Sequence, residues 1–195
     1  VLMNCTIRDC SGSASSNSGV YIASGAIATI SDTLFENCGD QPTDFAVRDQ
    51  SGSSVTVSGC HFESNTGYAG LVAAWNVGGF MANTFNANTT NRFRVSSGST
   101  VDGGVMRAQG AGFEGFELAQ GDLSVPAFTT FTIEAGVNVF GIDSTAELIV
   151  QGRLECLGTK LEPIVMTSFD DTPGTLWDGV TFNGANATGL MQWTS

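Results

Sequence analysis

Short alternating runs of apolar and polar residues, separated by turn-forming residues, fill this chain of 195 residues. The run Val55-Thr56-Val57 has the period of two that is typical of a β-strand with one buried side. Gly, Ser, Asn and Asp lie between such runs. No stretch of ten or more positions carries apolar residues at helical spacing. The pattern therefore predicts an all-β protein built from many short strands.

A six-residue phrase recurs four times in the first half, at residues 5–10, 33–38, 60–65 and 83–88. Its central apolar residues, Ile7, Phe35, Phe62 and Phe85, lie 28, 27 and 23 positions apart. A second apolar row comes five residues earlier in each copy and consists of Leu2, Ile30, Val57 and Phe80. A period in the twenties indicates stacked units that bury their apolar faces only against their neighbours. We therefore expect the central residues to form one inward ladder.

The second half has a repeat of similar length but of different sequence. Residues 123–125, 131–133 and 137–139 align with residues 148–150, 154–156 and 164–166, at offsets of 25, 23 and 27. Residues 180–182 begin a further coil after an inserted loop at residues 170–176. Leucine-rich or ankyrin repeats would need a helical stretch in each unit. The sequence thus predicts a parallel β-helix with about three short strands per coil and roughly eight coils.

Two sets of phrases carry a resemblance to known repeats. Residues 132–139, 148–152, 158–159, 163–168 and 177–180 resemble, in order and spacing, the right-handed parallel β-helix repeats of bacterial secreted and cell-surface proteins. In the first half, an aromatic residue followed three positions later by Asn, as in Phe62 and Asn65, is similar to polymorphic outer-membrane proteins and related adhesins. The resemblance implies a right-handed, pectate-lyase-like β-helix. These families are functionally mixed, so it implies no single activity.

The repeats suggest two arrays, at residues 1–90 and 122–195. We expect the second array to continue beyond the sequence given, as part of a longer polypeptide. Residues 91–121 are either an irregular junction or further coils of one helix, and the sequence leaves both readings open. Val101, Val105 and Met106 could form short strands there. The apolar residues expected to be buried in this stretch are Phe93, Val95, Phe113, Phe116 and Leu118.

Charge narrows the range of partners. The chain has 19 Asp and Glu but only seven Lys and Arg, giving a formal net charge of -12. Such acidity argues against nucleic acid and against anionic lipid surfaces, which both require basic contacts. No apolar run approaches the length of a membrane span. We expect an extracellular or cell-surface location, with a neutral glycan or a protein as the partner.

The five cysteines, Cys5, Cys10, Cys38, Cys60 and Cys156, show no Cys-x-x-Cys spacing. Cys10 and Cys38 share a repeat position one coil apart, at about 4.8 Å, which is within disulfide reach. Stacked side chains point in parallel, however, and this makes the disulfide dihedral awkward. We expect thiols that pack as small apolar groups. Asn65 and Asn88 continue this row, and we expect their amides to bond the backbone of the next coil.

Candidate catalytic groups are few. His61 is the one histidine, and if Phe62 faces inward His61 faces solvent. Asp170 and Asp171 form the only acidic pair and lie in the inserted loop, where a solvated turn is expected. We therefore assign no catalytic, cofactor-binding or metal-binding residue. Calcium binding is possible for so acidic a chain but has no specific support in the sequence.

These observations favour a non-catalytic structural or adhesive segment of a larger secreted or cell-surface protein. Two alternatives stay open: the scaffold of a polysaccharide lyase or hydrolase, and a trimeric tailspike-like glycan-binding protein. A flat face of Thr and Ser could also bind ice or carbohydrate, although Phe80 and Met81 are expected to interrupt it in a later coil. The residues of that face are Thr29, Ser31, Ser54, Thr56 and Ser58.

Overall fold

The computed structural model describes residues 1–11, 18–50, 52–118, 121–169 and 176–195. These residues form β-strands that pair in parallel, and three strands make up a coil. The expected all-β parallel β-helix is therefore confirmed. The chain divides into two compact units: unit 1, Val1–Arg94 with Gln109–Glu114, and unit 2, Val95–Ala108 with Gly115–Ser195.

Unit 1 has four coils. Their strands, in chain order, are β1 (Leu2–Met3), β2 (Thr6–Arg8) and β3 (Ser18–Ile22); β4 (Ile27–Ser31), β5 (Leu34–Glu36) and β6 (Asp44–Asp49); β7 (Ser54–Ser58), β8 (His61–Glu63) and β9 (Gly67–Val72); and β10 (Phe80–Met81), β11 (Thr84–Asn86) and β12 (Thr90–Val95). The first sheet has the order β1-β4-β7-β10, the second β2-β5-β8-β11, and the third β3-β6-β9-β12. A 3-10 helix, Ala74–Gly79, links β9 to β10.

Unit 2 has three full coils and two strands of another. The strands are β13 (Gly98–Ser99), β14 (Gly104–Met106) and β15 (Gly115–Leu118); β16 (Leu123–Val125), β17 (Thr130–Glu134) and β18 (Asn138–Gly141); β19 (Glu147–Val150), β20 (Arg153–Leu157) and β21 (Val165–Ser168); and β22 (Gly179–Phe182) and β23 (Thr188–Gln192). Its first sheet has the order β13-β16-β19-β22, its second β14-β17-β20-β23, and its third β15-β18-β21. The described coils are close in number to the roughly eight predicted.

The repeat alignment of the first half is confirmed by the strand register. Ile7 pairs with Phe35, Phe35 with Phe62, and Phe62 with Phe85. The rings of Phe35 and Phe62 stack with centroids 5.1 Å apart and an interplanar angle of 8°, and those of Phe62 and Phe85 lie 5.5 Å apart at 15°. One aromatic column therefore runs through the core of unit 1.

Phe93 of β12 closes this column from the side. Its ring meets Phe62, Phe80 and Phe85 edge-on, at centroid distances of 5.7, 5.0 and 5.3 Å. Gly70 makes room for it, because a Cβ at that position would lie 3.1 Å from the Phe93 ring. Edge-to-face contacts of this kind add to the energy of burial.

The expected position of Phe80 on the Thr and Ser face is wrong. Phe80 pairs with Val57 in the buried row, and only Met81 pairs with Ser58 on the neighbouring row. The first sheet alternates strictly, and a residue next to Met81 must therefore point the other way. Thr29 still pairs with Thr56, so the outward row of hydroxyls spans two coils.

The alignment of three predicted strands with the next three in the second half is also confirmed. Leu123 pairs with Leu148, Phe131 with Leu154, and Asn138 with Val165. Leu148 pairs in turn with Val180, which begins the next coil as expected. Between the arrays, Val105 and Met106 lie in β14 whereas Val101 lies outside any strand. Phe113 is half-buried, and the other four apolar residues expected to be buried in that stretch are buried.

The 3-10 helix was not foreseen from the sequence. The buried carboxylate of Asp49 holds it: Oδ2 accepts bonds from the Ala73 backbone at 3.0 Å and from the Asn76 amide at 2.9 Å. Ser53 donates to the other carboxylate oxygen, Oδ1. Six residues in a tight 3-10 turn are too few to show an apolar period.

Candidate functional site

His61 lies on the outward side of β8, as expected. Its side chain is 41% exposed. Nδ1 lies 2.7 Å from the Thr84 hydroxyl in the following coil, and Nε2 lies 3.4 Å from a carboxylate oxygen of Glu63. Thr84 is the register partner of His61. The repeat alignment contained this pairing, but nothing in the sequence marked Thr84 as a partner of the imidazole.

Neighbouring groups hold both ends of the row formed by the Thr84 hydroxyl, the His61 imidazole and the Glu63 carboxylate. Asn86 donates to the second oxygen of Glu63 at 3.0 Å, and the backbone at Gly110 approaches the methyl group of Thr84 so closely that a Cβ there would lie 2.8 Å from it. An imidazole so placed can take a proton from the hydroxyl, as in nucleophilic catalysis. It equally serves to fix an outward polar row on the second sheet.

The remaining candidates from the sequence are the acidic pair and a metal site. Asp170 and Asp171 lie outside the described residues. Among the residues that are described, no group of three or more His, Cys, Asp or Glu side chains is placed to hold a metal ion.

The five cysteines are free thiols in this structure. Cys38, Cys60 and Cys156 are buried, whereas Cys5 and Cys10 are half-buried. Burial, reinforced by the neighbouring Cys10, raises the pKa of Cys38 to about 12. Burial raises the pKa of Cys156 to about 11, and it raises the pKa of Cys60 as well. These three thiols pack as apolar groups and remain protonated at neutral pH.

Asn65 and Asn88 form the expected ladder with the backbone. The Asn65 side chain accepts a bond from the Cys38 N–H at 2.8 Å and donates to the Phe35 carbonyl at 3.1 Å. It also donates to the Asn88 side-chain oxygen at 2.7 Å, and Asn88 donates to the Phe62 carbonyl at 2.9 Å. The backbone bonds run to the preceding coil rather than the following one.

A second amide ladder lies at the other corner of the same strands. Asn83 accepts a bond from the Cys60 N–H at 3.0 Å and donates to the Val57 carbonyl at 3.1 Å. It also donates to the Gln109 side-chain oxygen at 3.0 Å, and Gln109 donates to the Phe80 carbonyl at 2.8 Å. Gln109 occupies a ladder position that the repeat phrase did not reveal, because the phrase is absent around it.

The outward side of the third sheet in unit 1 carries aromatic rings and guanidinium groups together. We call Tyr21, Arg48, Tyr68 and Arg94 the aromatic–arginine face; Phe45 is buried and packs against Tyr68. The Arg94 guanidinium carbon lies 4.2 Å from the centroid of Tyr68 and bonds its hydroxyl. The rings of Phe45 and Tyr68 lie 5.6 Å apart. In both pairs, packing fixes the orientation of the Tyr68 ring.

The other end of this face is built in the same way. The guanidinium carbon of Arg48 lies 6.0 Å from the ring centroid of Tyr21, its register partner. The Tyr21 hydroxyl donates to the side-chain oxygen of Gln50, and the residue is 46% exposed. Tyr21 and Tyr68 are the two tyrosines of the chain, so both lie on this face.

Basic charge is also concentrated on this sheet. Arg48, Arg92 and Arg94, three of the seven basic residues, lie in β6 and β12. Arg92 pairs with Glu114 at 3.0 Å. The two carboxylates of β6, Asp44 and Asp49, are buried: Asp44 accepts bonds within its own turn, and Asp49 accepts bonds from Ser53 and from the 3-10 helix region. The outward side of the third sheet is thus locally less acidic than the chain as a whole.

Comparison with known proteins gives one match. A family model described as "Right handed beta helix region" matches residues 2–117, more than half of the chain. No curated protein and no solved structure matches the chain. In the described part of the chain, no helix is long and apolar enough to cross a membrane.

Proposed function

The chain belongs to the right-handed β-helix family, and from this premise we propose that it is a non-catalytic, adhesive segment of a larger secreted or cell-surface protein. Its ligand on this proposal is an extended, neutral glycan. The family match defines the scaffold and does not assign an activity. The proposal rests on one observation, the aromatic–arginine face of unit 1.

The chemistry of this face suits a sugar chain. Sugar rings present C–H faces that pack on aromatic rings, and guanidinium groups donate several hydrogen bonds to hydroxyl oxygens. Tyr21 and Tyr68 supply rigid contact area with little side-chain entropy to lose. Arg94 stacks on Tyr68, and Gln50 bonds the Tyr21 hydroxyl, so both rings are held in place before any ligand arrives, which lowers the cost of binding.

The spacing of the face suits an extended ligand. Its residues lie on the strands β3, β6, β9 and β12 of four successive coils. Adjacent strands in a sheet are about 4.8 Å apart, so the contacts recur at short, regular intervals. A repetitive ligand can follow such a surface for its full length.

The choice of a neutral glycan follows from charge. The chain carries a net charge of -12, which repels polyanions at long range. The same charge suits an extracellular surface, where solubility is required. A protein partner at the cell surface remains the main competitor, and the glycan is favoured because aromatic rings and hydrogen-bond donors alternate along the face.

The scaffold of a carbohydrate-active enzyme is the second candidate function. The observation that favours it is the contact of the His61 imidazole with Thr84 and Glu63. Such a group could activate a hydroxyl for acyl transfer. Because Thr84 is a secondary alcohol on an outward strand, we place this candidate second.

The proposal is tested by binding to immobilised neutral polysaccharides, followed by calorimetry on those retained. Tyr21→Ala and Tyr68→Ala should each weaken binding by about tenfold, since each removes a central aromatic contact. Tyr21→Phe should bind within about threefold of the wild type, because it keeps the ring. Phe169→Ala, which removes a half-exposed ring in unit 2, is the matched control. Absence of binding to any neutral glycan, or unchanged binding by both alanine variants, would reject the proposal.

A further inference from the structure

A notch on the surface of unit 2 is created by unequal turns in three successive coils. The turn between β16 and β17 spans residues 126–129, and that between β22 and β23 spans residues 183–187. The turn between them, from β19 to β20, has only residues 151–152. Two long turns therefore stand on either side of a short one. The depression so formed has a volume of about 420 Å³, within the roughly 300–1,000 Å³ typical of small-molecule sites.

Phe128 forms one wall of the notch, although both its exposure to solvent and its backbone conformation are unfavourable for a phenylalanine. The ring belongs to a residue that is 86% exposed. Its backbone has φ 65°, in the left-handed region that disfavours non-glycine residues. It sits at the third position of a turn closed by the Thr129 N–H and the Pro126 carbonyl at 3.2 Å, where Gly or Asn is preferred. Left-handed backbone recurs at other turns of this chain, mostly at Asn, Asp, Ser and Ala, whereas here it carries a large, exposed ring, and a binding role would account for that choice of residue.

Gly152 lets the turn that carries Phe128 come close. A Cβ at Gly152 would lie 2.2 Å from the Pro126 carbonyl oxygen and 2.4 Å from that of Thr129. The glycine is buried, and it forms part of the lining of the notch. The sequence thus keeps the middle turn short and free of a side chain at the point where the flanking turn packs on it.

Polar groups line the rest of the notch. Thr130, Arg153 and Thr188 are register partners in β17, β20 and β23. Arg153 is held by Glu155 through a bond of 2.7 Å from Nε, so its terminal amino groups are oriented while its charge is balanced. Asn186 stands on the long turn opposite Phe128. Apart from Phe128, the notch thus offers neutral hydrogen-bonding groups and one cation, Arg153, whose charge is balanced by Glu155.

From this arrangement we propose that the notch is a binding site for a small neutral saccharide, one whose ring stacks on Phe128. Two coil spacings separate the turns of Phe128 and Asn186, about 9.6 Å of backbone, which leaves room for a single ring between them. The aromatic wall takes the C–H face of the sugar, and Arg153, Asn186 and the two threonines bond its hydroxyls. This site lies in unit 2 and is separate from the aromatic–arginine face.

The experiment is ligand-observed NMR on the whole chain produced in bacteria, with methyl glycosides of neutral hexoses, N-acetylhexosamines and neutral disaccharides. Phe128→Ala should weaken binding by about tenfold or more, and Phe128→Trp should retain it, because a ring is what the sugar needs. Asn186→Ala should weaken binding by a few-fold. Leu161→Ala, at an aliphatic residue of the same unit that is 92% exposed, is the matched control.

The melting temperature tests whether the backbone of Phe128 is strained. Phe128→Gly should raise the melting temperature while abolishing saccharide binding, because glycine accepts the left-handed backbone without cost. A lower melting temperature for Phe128→Gly would contradict the strain argument. Failure of every saccharide to bind, or equal binding by wild type and Phe128→Ala, would overturn the site. Tyr21→Ala should leave this binding unchanged, so the notch and the face of unit 1 can fail independently.

Discussion

Phe62 shows how a single side chain holds several coils together. Its ring is fully buried, stacks on Phe35 and Phe85, and meets the edge of Phe93. In a solenoid each coil is stabilised mainly by its neighbours, so a residue at the centre of such a column stabilises two interfaces at once. The repeat phrase identified this residue because a large apolar side chain returns at the same place in every copy.

Truncating this ring is the first prediction. Phe62→Ala should lower the free energy of unfolding by about 3–5 kcal/mol, through lost burial and the cavity left in a column that cannot collapse. Chemical denaturation measures it. The control Leu161→Ala, at a 92% exposed side chain, should change stability by no more than about 0.5 kcal/mol. A cost for Phe62→Ala as small as that of the control would refute the ladder.

Thiol chemistry gives the second prediction. After unfolding without reductant, all five cysteines should be alkylated, as intact mass will show; fewer than five would reveal oxidation. In the folded protein at pH 8, Cys38, Cys60 and Cys156 should resist labelling, since burial raises the pKa of all three and hides the sulfur atoms. Rapid labelling of all five in the folded protein would contradict the packing described.

The same thiols set a pH dependence. A thiol whose pKa is raised by folding binds its proton more tightly in the folded state, so its stabilising contribution is complete below the unfolded pKa of 9.0. That contribution should be lost as pH rises from about 9 through the folded values of about 11 for Cys156 and about 12 for Cys38. Denaturation midpoints measured across this range in wild type and Cys156→Ala check it: the alkaline loss should be smaller in the variant.

At the scale of elements, polar ladders decide where each strand ends. Asn65 satisfies a backbone donor of Cys38 and a backbone acceptor of Phe35 in the preceding coil. Because parallel strands in stacked coils leave turn groups without partners in their own coil, such amides replace missing ladder bonds. The corner between the second and third sheets is fixed by these bonds.

Removing this amide is the fourth prediction. Asn65→Ala should destabilise the protein by about 2–4 kcal/mol, because it leaves a buried N–H and a buried C=O unsatisfied. Asn86→Ala is the matched control, since Asn86 is exposed and its side chain bonds the side chain of Glu63 rather than a buried backbone group. Thermal or chemical denaturation of both variants provides the comparison, and equal small effects would show that the ladder is dispensable.

The sequence predicted which buried residues stack from coil to coil, but not which outward or corner residues interact across coils. Ile7, Phe35 and Phe62 could be aligned because burial forces the same residue class to return once per coil. Thr84 beside His61 and Gln109 beside Asn83 could not be singled out, since outward and corner positions accept many residue types. The notch at Phe128 depends on the unequal lengths of three turns. Differences in turn length do not appear in the periodic pattern of apolar residues from which the coils were predicted.

For the whole molecule, charge distinguishes binding by stacking from binding by ionic attraction. The net charge of -12 disfavours polyanions, whereas stacking on Tyr21 and Tyr68 involves no ligand charge. We therefore predict that affinity for a neutral glycan changes by less than about twofold between low and high salt. Calorimetry at several salt concentrations measures this. A steep fall in affinity with salt would indicate an anionic ligand held by the arginines instead.

We propose that this β-helix holds its glycan without transforming it. The most direct measurement is incubation of the chain with the glycans it retains, and with acetylated glycans, with or without calcium, followed by mass spectrometry of all products. We predict that bound glycan is recovered intact. Sustained release of oligosaccharide or acetate that is lost in His61→Ala, Thr84→Ala or a variant at Asp170 and Asp171 would contradict the claim and establish an enzyme.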